Sequence, residues 1–329
     1  MPLRAGRAGA AVEDLQRRLL GLGLSTEPDP AGTYGPGTER AVVRFQTERG
    51  LRPDAVCGRQ TWSALVEAGW RLGDRLVYRR NPMLRGDDVA ELQRRLGGLG
   101  FDAGRVDGIF GDNTAAALAE FQRNSGLTVD GICGPATLGA LQRLGSSRTV
   151  GDPVAQVRER EAIRRGGAGL RDRWVAVGHT GGLDAVATAV GRALRTAGAD
   201  VLILWDPDGS AQAVAANEAD VDAYLGLALA PDREGLSTAF YSGFRYESPA
   251  GRQLAGLVQE AAVAALGVPD LGIHGMSLPV LRETRMPAVV CEIAPAVAVV
   301  QRMAELAAAI EGAVTAWAGR PCPDEAGGT

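Results

Sequence analysis

Apolar positions follow two different rhythms along this chain. Up to about residue 145 they recur at helical spacing. Val89, Leu92, Leu96 and Leu99 line one side of a stretch whose other positions are charged, predicting an amphipathic helix closed by Gly100. Asp107-Gly108 and Asp130-Gly131 have turn chemistry. Asp112 or Asn113 is placed to cap a helix carrying Leu118 and Phe121, and Gly134-Pro135 opens a last short helix with Leu138 and Leu141. Beyond about residue 172 the period changes. Apolar runs at 174–177, 201–204, 224–229 and 288–293 predict strands, and 184–197, 211–218, 249–266 and 297–317 read as helices. Alternation of this kind implies an α/β domain whose mostly parallel sheet is covered by helices on both faces.

The helical part is a tandem repeat. Val12-Glu13-Asp14-Leu15-Gln16-Arg17-Arg18-Leu19 returns as Val89-Ala90-Glu91-Leu92-Gln93-Arg94-Arg95-Leu96, an offset of 77 residues, and Thr61 returns as Thr137, an offset of 76. That length suits a small self-contained domain better than a solenoid unit. The expected organisation is therefore a three-helix module over 1–70 and a second over 71–145. A Gly-, Ser- and Arg-rich linker over 146–172, an α/β domain over 173–318 and a disordered tail over 319–329 follow.

Composition narrows the function classes. All 35 basic residues are arginine, yet the formal net charge is −4 and no basic stripe stands out, which argues against a nucleic-acid reader. No run approaches the roughly 18 apolar residues of a membrane span. The opening Met1-Pro2-Leu3-Arg4-Ala5-Gly6-Arg7 has neither an apolar core nor a cleavage site, so a cytoplasmic location is expected. The four cysteines have no metal or disulfide-framework spacing; Cys57 and Cys133 occupy the same repeat position and read as small buried hydrophobes.

The second copy's pattern, Asp107-Gly108…Phe110-Gly111…Thr114…Phe121-Gln122…Gly126-Leu127…Asp130-Gly131…Gly134…Thr137, resembles the peptidoglycan-binding-like domain family. The resemblance implies glycan or wall-peptide contact, for which Asp107 and Phe110 are the candidates. Most motif residues also have a turn, cap or core role, so the pattern certifies a fold before it specifies a ligand. The first copy has Ala31-Gly32 and Asp54-Ala55 where the second has Asp107-Gly108 and Asp130-Gly131.

In the α/β part, ligands are expected at the carboxyl ends of strands, where His179, the end of 224–229 and Glu292 fall. Val177-Gly178-His179-Thr180-Gly181-Gly182, Ala216-Asn217 and Met286-Pro287-Ala288-Val289-Val290-Cys291-Glu292 resemble the zinc-dependent N-acetylmuramoyl-L-alanine amidases. That family holds zinc with two histidines and a glutamate and uses a second glutamate as base. The resemblance matches His179 to the first ligand and Glu292 to the base. It puts Ala228 where the second histidine belongs, places the glutamate ligand at or before Thr180, where there is no carboxylate, and has Ala294-Pro295 in place of Gly-Phe. Read without the family, His179 is a strand-end histidine bonded to nearby backbone, Glu292 pairs with an arginine such as Arg282 or Arg285, and Asp206 and Asp208 form a turn. The other histidine, His274, is a candidate for a rearranged site.

The order of parts resembles the CwlM-type proteins of actinobacteria, which look like amidases with altered zinc ligands. It implies a non-catalytic protein of peptidoglycan metabolism, holding no cofactor and regulating precursor synthesis through cell-wall synthesis proteins or a muropeptide-like ligand. The alternative is a working zinc amidase with rearranged ligands.

Overall fold

The computed structural model describes residues 2–145, 169–230, 233–243 and 246–319. Most of the expected linker and all but the first residue of the expected tail lie outside them. The chain divides into two compact units, one holding both repeats and one holding the α/β sheet.

In the first unit, each repeat is a three-helix module. The first comprises α1 (Ala10–Gly21), α2 (Pro36–Glu48) and α3 (Arg59–Ala68). The second comprises α4 (Asp87–Gly98), α5 (Asp112–Asn124) and α6 (Pro135–Gly145). The helical stripes go inward as their spacing dictates: Val89, Leu92, Leu96, Leu118 and Phe121 share one core. Two details differ from the sequence expectation. Gly111, not Asp112 or Asn113, is the N-cap of α5, and Asp112 opens the helix. A two-stranded ladder of β1 (Val77–Tyr78) and β2 (Ile132–Cys133) also closes the second module, with a lone bridge between Leu3 and Cys57 in the equivalent place of the first.

A buried glutamine organises each half-module. Gln93 Nε2 donates to Asp107 Oδ1 (2.9 Å), Ile109 O (3.1 Å) and Thr114 Oγ1 (3.1 Å), while its Oε1 accepts from Gly108 N (2.9 Å). Gln122 repeats this with Asp130, Ile132, Thr137 and Gly131. Gln46 does so with Asp54, Val56, Thr61 and Ala55. Gln16 bonds Pro30 O, Thr33 O, Thr38 Oγ1 and Gly32 N. Where Ala31 replaces the turn aspartate, Asp29 takes over part of the work, accepting from the backbone of Gly35, Gly37 and Thr38. Ala55 follows its turn into the left-handed region, φ 61. The repeats are joined by a bidentate pair of Arg49 with Asp87 (2.7 and 2.8 Å).

The second unit is a seven-stranded sheet. Its strands are β3 (Trp174–His179), β4 (Asp200–Trp205), β5 (Ala223–Leu229), β6 (Gly235–Gly243), β7 (Tyr246–Glu247), β8 (Asp270–Met276) and β9 (Ala288–Ala294). The order is β4-β3-β5-β9-β6-β7, with β8 also paired to β6. Pairings β3–β4, β3–β5, β5–β9 and β6–β8 are parallel, and β6–β9 is antiparallel. One face is covered by α7 (Asp184–Thr196), α9 (Pro249–Leu266) and α12 (Met303–Gly319), whose apolar residues join Val175, Val177, Leu225, Leu227 and Cys291 in the main core. The short α8 (Gly209–Glu218) and α10 (Pro279–Glu283) pack on each other, and Gln212 of α8 lies against the face of Gly178 and Tyr224. The expected closing helix is two: α11 (Ala296–Gln301) breaks from α12 at Arg302.

Replacing Gln93 by Ala strips one side from four hydrogen bonds and leaves buried groups unsatisfied, so the second module is expected to lose about 2–3 kcal/mol. Hydrogen exchange of its helices in the full chain measures this, and a loss under roughly 0.5 kcal/mol would refute the organising role. Ala55→Gly is expected to raise the first module's stability by roughly 0.5–1 kcal/mol, because glycine adopts that backbone without the Cβ penalty.

Candidate functional site

The carboxyl ends of β3, β5 and β9 carry the residues singled out from sequence. His179 is the last residue of β3, 3% exposed, and still in the ladder, paired with Leu227 and Trp205. Side chains alternate across a strand. His179 therefore shares a row with Leu227 and Cys291, on the face of the main core, while Glu292 lies in the row of Ala228 and Ser237 on the other face. Register thus sets the two matched residues on opposite sides of the sheet.

The imidazole is not bonded to backbone, as the plain reading of the strand end expected. Its Nδ1 is buried without a hydrogen-bond partner, and Nε2 lies 3.8 Å from Asp184 Oδ1 at the start of α7. The backbone carbonyl of His179 accepts from Gln212 Nε2 (3.2 Å), which also donates to Asp206 O (2.6 Å). Tyr224 donates its hydroxyl to Gln212 Oε1 (2.6 Å), and burial pushes that hydroxyl's pKa above its ordinary range. A Cβ on Gly178 would stand 2.1 Å from Gln212 Oε1 and 2.2 Å from the Tyr224 hydroxyl, so this network demands glycine immediately before His179.

Glu292 is 6% exposed and forms an ion pair with Arg233, a partner that the sequence reading, which named Arg282 or Arg285, did not anticipate. Arg233 is 44% exposed and stands beside Glu234. Both line a cleft of about 420 Å³ at the ends of β5 and β9, floored by Leu229, Ile293, Ala294 and Pro295. Ala228 is the direct strand neighbour of Glu292. The second histidine of the family pattern would have stood here.

The other candidates are elsewhere. His274 lies exposed on β8, its Nε2 2.8 Å from Leu271 O. Four strand spacings separate β3 from β8, roughly 19 Å, so His274 and His179 do not share a site. Phe110 is 0% exposed in the core of the second module, which closes its ring to any ligand. Asp107 is half-buried and holds the Gln93 turn, also accepting from Ile109 N (2.8 Å). Asp208 caps α8 through Ser210 N (2.9 Å) and Asp206 accepts from Asp208 N (2.7 Å), the turn expected of them. Asn217 joins α8 to the segment after α10, donating to Glu283 O (2.8 Å) and accepting from Arg285 N (2.9 Å).

A catalytic zinc needs three converging donors and an open position. Among the described residues no group of three or more His, Cys, Asp and Glu side chains is placed to hold a metal. Among the described residues His179 has one carboxylate near its ring, Asp184 on the Nε2 side, and Glu292 is held by Arg233 on the other face of the sheet. These residues do not fit the family's zinc.

Sequence reasoning missed Arg233, Gln212 and Tyr224. Arg233 carries no motif; the one signal for it was a carboxylate matched to a strand end with no metal ligands around it. For Gln212 and Tyr224, Gly178 was the trace.

The peptidoglycan binding domain family matches residues 8–65 and 85–141. The N-acetylmuramoyl-L-alanine amidase CwlM of Mycobacterium tuberculosis is 34% identical over 333 aligned residues, covering 88% of this chain and 81% of that protein. The N-acetylmuramoyl-L-alanine amidase CwlL of Bacillus licheniformis is 31% identical over 163, covering 43% of this chain and 45% of that protein. A solved N-acetylmuramyl-L-alanine amidase from Mycobacterium smegmatis superposes with a TM-score of 0.40 at 15% identity, covering 46% of this chain and 99% of that one. With two peptidoglycan-binding domains ahead of an amidase-like α/β domain, and with that identity sustained over most of both chains, this protein belongs to the CwlM family of N-acetylmuramoyl-L-alanine amidase homologues.

Proposed function

We propose that this protein is a non-catalytic member of its family, one that binds a muropeptide-like wall precursor and acts through cell-wall synthesis proteins in the cytoplasm. The observation that supports this reading is the pairing at the carboxyl end of β9. Glu292, matched to the general base, has Ala228 as its strand neighbour and Arg233 on its carboxylate. A base works by accepting a proton from water polarised beside it. Here that carboxylate is engaged by a guanidinium instead. A tethered wall precursor without hydrolysis is what remains when such a cleft is kept and its chemistry removed.

The second reading, a working amidase with rearranged ligands, draws on the relatives named as amidases and on Glu292 keeping its strand-end position. Metal analysis of the dialysed full chain and incubation with labelled muropeptide plus zinc separate the two. The proposal expects substoichiometric zinc and no release of peptide with a free L-alanine terminus, with an active amidase as control. One retained zinc per chain together with peptide release would overturn it.

The ion pair makes its own prediction. Arg233→Ala leaves a buried carboxylate without its guanidinium and is expected to destabilise the α/β unit by about 1–3 kcal/mol, discounted for the arginine's exposure. Adding Glu292→Gln to that variant is expected to restore most of the loss in chemical denaturation. No loss in the single variant, or no recovery in the double, would show that the pair is incidental.

A further inference from the structure

We propose that the free edge of β4 is where a second copy of this chain pairs, antiparallel across a two-fold axis, so that two sheets run on as one. The inference goes beyond the binding role above and does not rest on it.

Among the described residues β4 pairs with β3 alone and ends the sheet. In a parallel ladder the N–H and carbonyl of one residue point to the same side, and successive residues alternate. Asp200 N donates to Arg173 O (2.8 Å), towards β3, so Leu202 and Leu204 turn their backbone groups inward as well. Val201, Ile203 and Trp205 turn theirs outward. Arg195 reports the same parity from the open side, its Nη2 donating to Val201 O (2.9 Å).

Open edges invite another chain, and proteins ordinarily blunt them with bulges, charges or prolines. On the far side of the sheet β8 is treated in this way. Its ladder with β6 breaks register between Leu236 and Thr238, Gly272 enters the left-handed region (φ 78), and the His274 ring stands at the Leu271 carbonyl. Along β4 only one carbonyl is covered, by Arg195. The rest is the regular apolar run Val201-Leu202-Ile203-Leu204, ending in a Trp205 that is 65% exposed.

Charge along the edge names the occupant. Helix α7 runs back along the sheet, so its exposed Arg192 and Arg195 stand at the amino end of β4, while Asp206 and Asp208 follow its carboxyl end. An antiparallel two-fold lays the carboxyl end of one edge on the amino end of the other, and does so twice. A parallel neighbour would set like on like. Backbone parity allows an axis at Ile203 or at Leu202 near the middle of the strand. The first would face Asp200 with Asp206 of the other copy, a repulsive pair, whereas the second faces Asp200 with Leu204. With the axis at Leu202, Val201 pairs with Ile203 of the second copy, and Trp205 and Asp206 fall opposite Ala199 and Gly198, just beyond α7. A Cβ on Gly191 would stand 3.2 Å from Ile203 and 3.4 Å from Val201, so these residues and Trp205 share the α7 face of the strand. The indole therefore arrives on the side of Arg195, where a guanidinium can lie over its ring.

Sedimentation of the full chain is expected to show a monomer–dimer equilibrium at concentrations up to about 100 µM. Trp205→Glu and Arg195→Glu, at two exposed positions, should each weaken the dimer at least about tenfold. Oxidation in a Cys322→Ser background tests the register. Leu202→Cys should trap a disulfide-linked dimer, because two-fold mates in a non-hydrogen-bonded pair have Cα atoms about 4.5 Å apart. Leu204→Cys should not, since its mate lies four residues away along the strand, about 14 Å. A chain that stays monomeric over that range, whether or not its edge takes up an added extended apolar peptide, overturns the inference. So does association untouched by both charge substitutions, or trapping through Leu204→Cys.

Discussion

A carboxylate taken out of water must be given a positive partner, and in the α/β unit that constraint falls on Glu292. Its side chain is 7% exposed at the end of β9, and Arg233 supplies the positive charge. The desolvation of such a group costs several kcal/mol and is recovered only with good geometry and charge complementarity. In an amidase-type site the positive charge nearby belongs to the metal. Here the alanine beside Glu292 removes one donor that would hold an ion, and the guanidinium reaches the same carboxylate from the loop between β5 and β6. The buried charge of Glu292 is thus balanced by an organic cation. An arginine stays protonated at any physiological pH, and it donates hydrogen bonds without activating water as a zinc ion does.

The same accounting of buried polar groups explains why the repeat motif is so regular. Four glutamines, Gln16, Gln46, Gln93 and Gln122, each bring an amide into the interior of a half-module and satisfy both ends of it with a turn and a threonine. Once the amide is buried, the turn must offer a backbone N–H and carbonyl at fixed positions, and the threonine must follow at a fixed distance. Asp107, a candidate ligand contact, is drawn into this arrangement, and Phe110, the other candidate, is buried in the core beside it. The first copy shows which parts are exchangeable: Gln16 finds Pro30 O in place of an aspartate oxygen, and Asp29 secures the N-terminus of α2.

Much of this was legible in the sequence, and the failures have physical causes. Helical periodicity and the repeat gave both modules, and the runs at 174–177, 201–204, 224–229 and 288–293 became β3, β4, β5 and β9. Strands β6 and β8 escaped because Gly235-Leu236-Ser237-Thr238 and Asp270-Leu271-Gly272-Ile273 look like loop. Gln259, from a helix distant in sequence, bonds both Thr238 and Asp270. Helix periodicity ran through Arg302, whose backbone leaves the helical region at φ −121 and ψ 33. His179 was placed correctly at a strand end but not on a face, since one residue of register decides which side a side chain takes. No local pattern marks Arg233 as the partner of a residue 59 positions later.

What keeps the carboxyl end of the sheet ordered is a set of contacts that involve no metal ligand. Gln212 ties the carbonyls of His179 and Asp206 to the Tyr224 hydroxyl beneath Gly178, and Asn217 fixes the segment leading into β9 through Glu283 and Arg285. In a zinc enzyme part of that order comes from the ion, and losing a ligand then loosens the site. Here the positions of β3, β5 and β9 are set by amide and hydroxyl hydrogen bonds that are indifferent to metal. The order of the sheet's carboxyl end is therefore carried by side chains other than Ala228 and Arg233. A sheet edge ordered in this way by its own side chains does not need a cation to hold the carboxyl ends of β3, β5 and β9 in place.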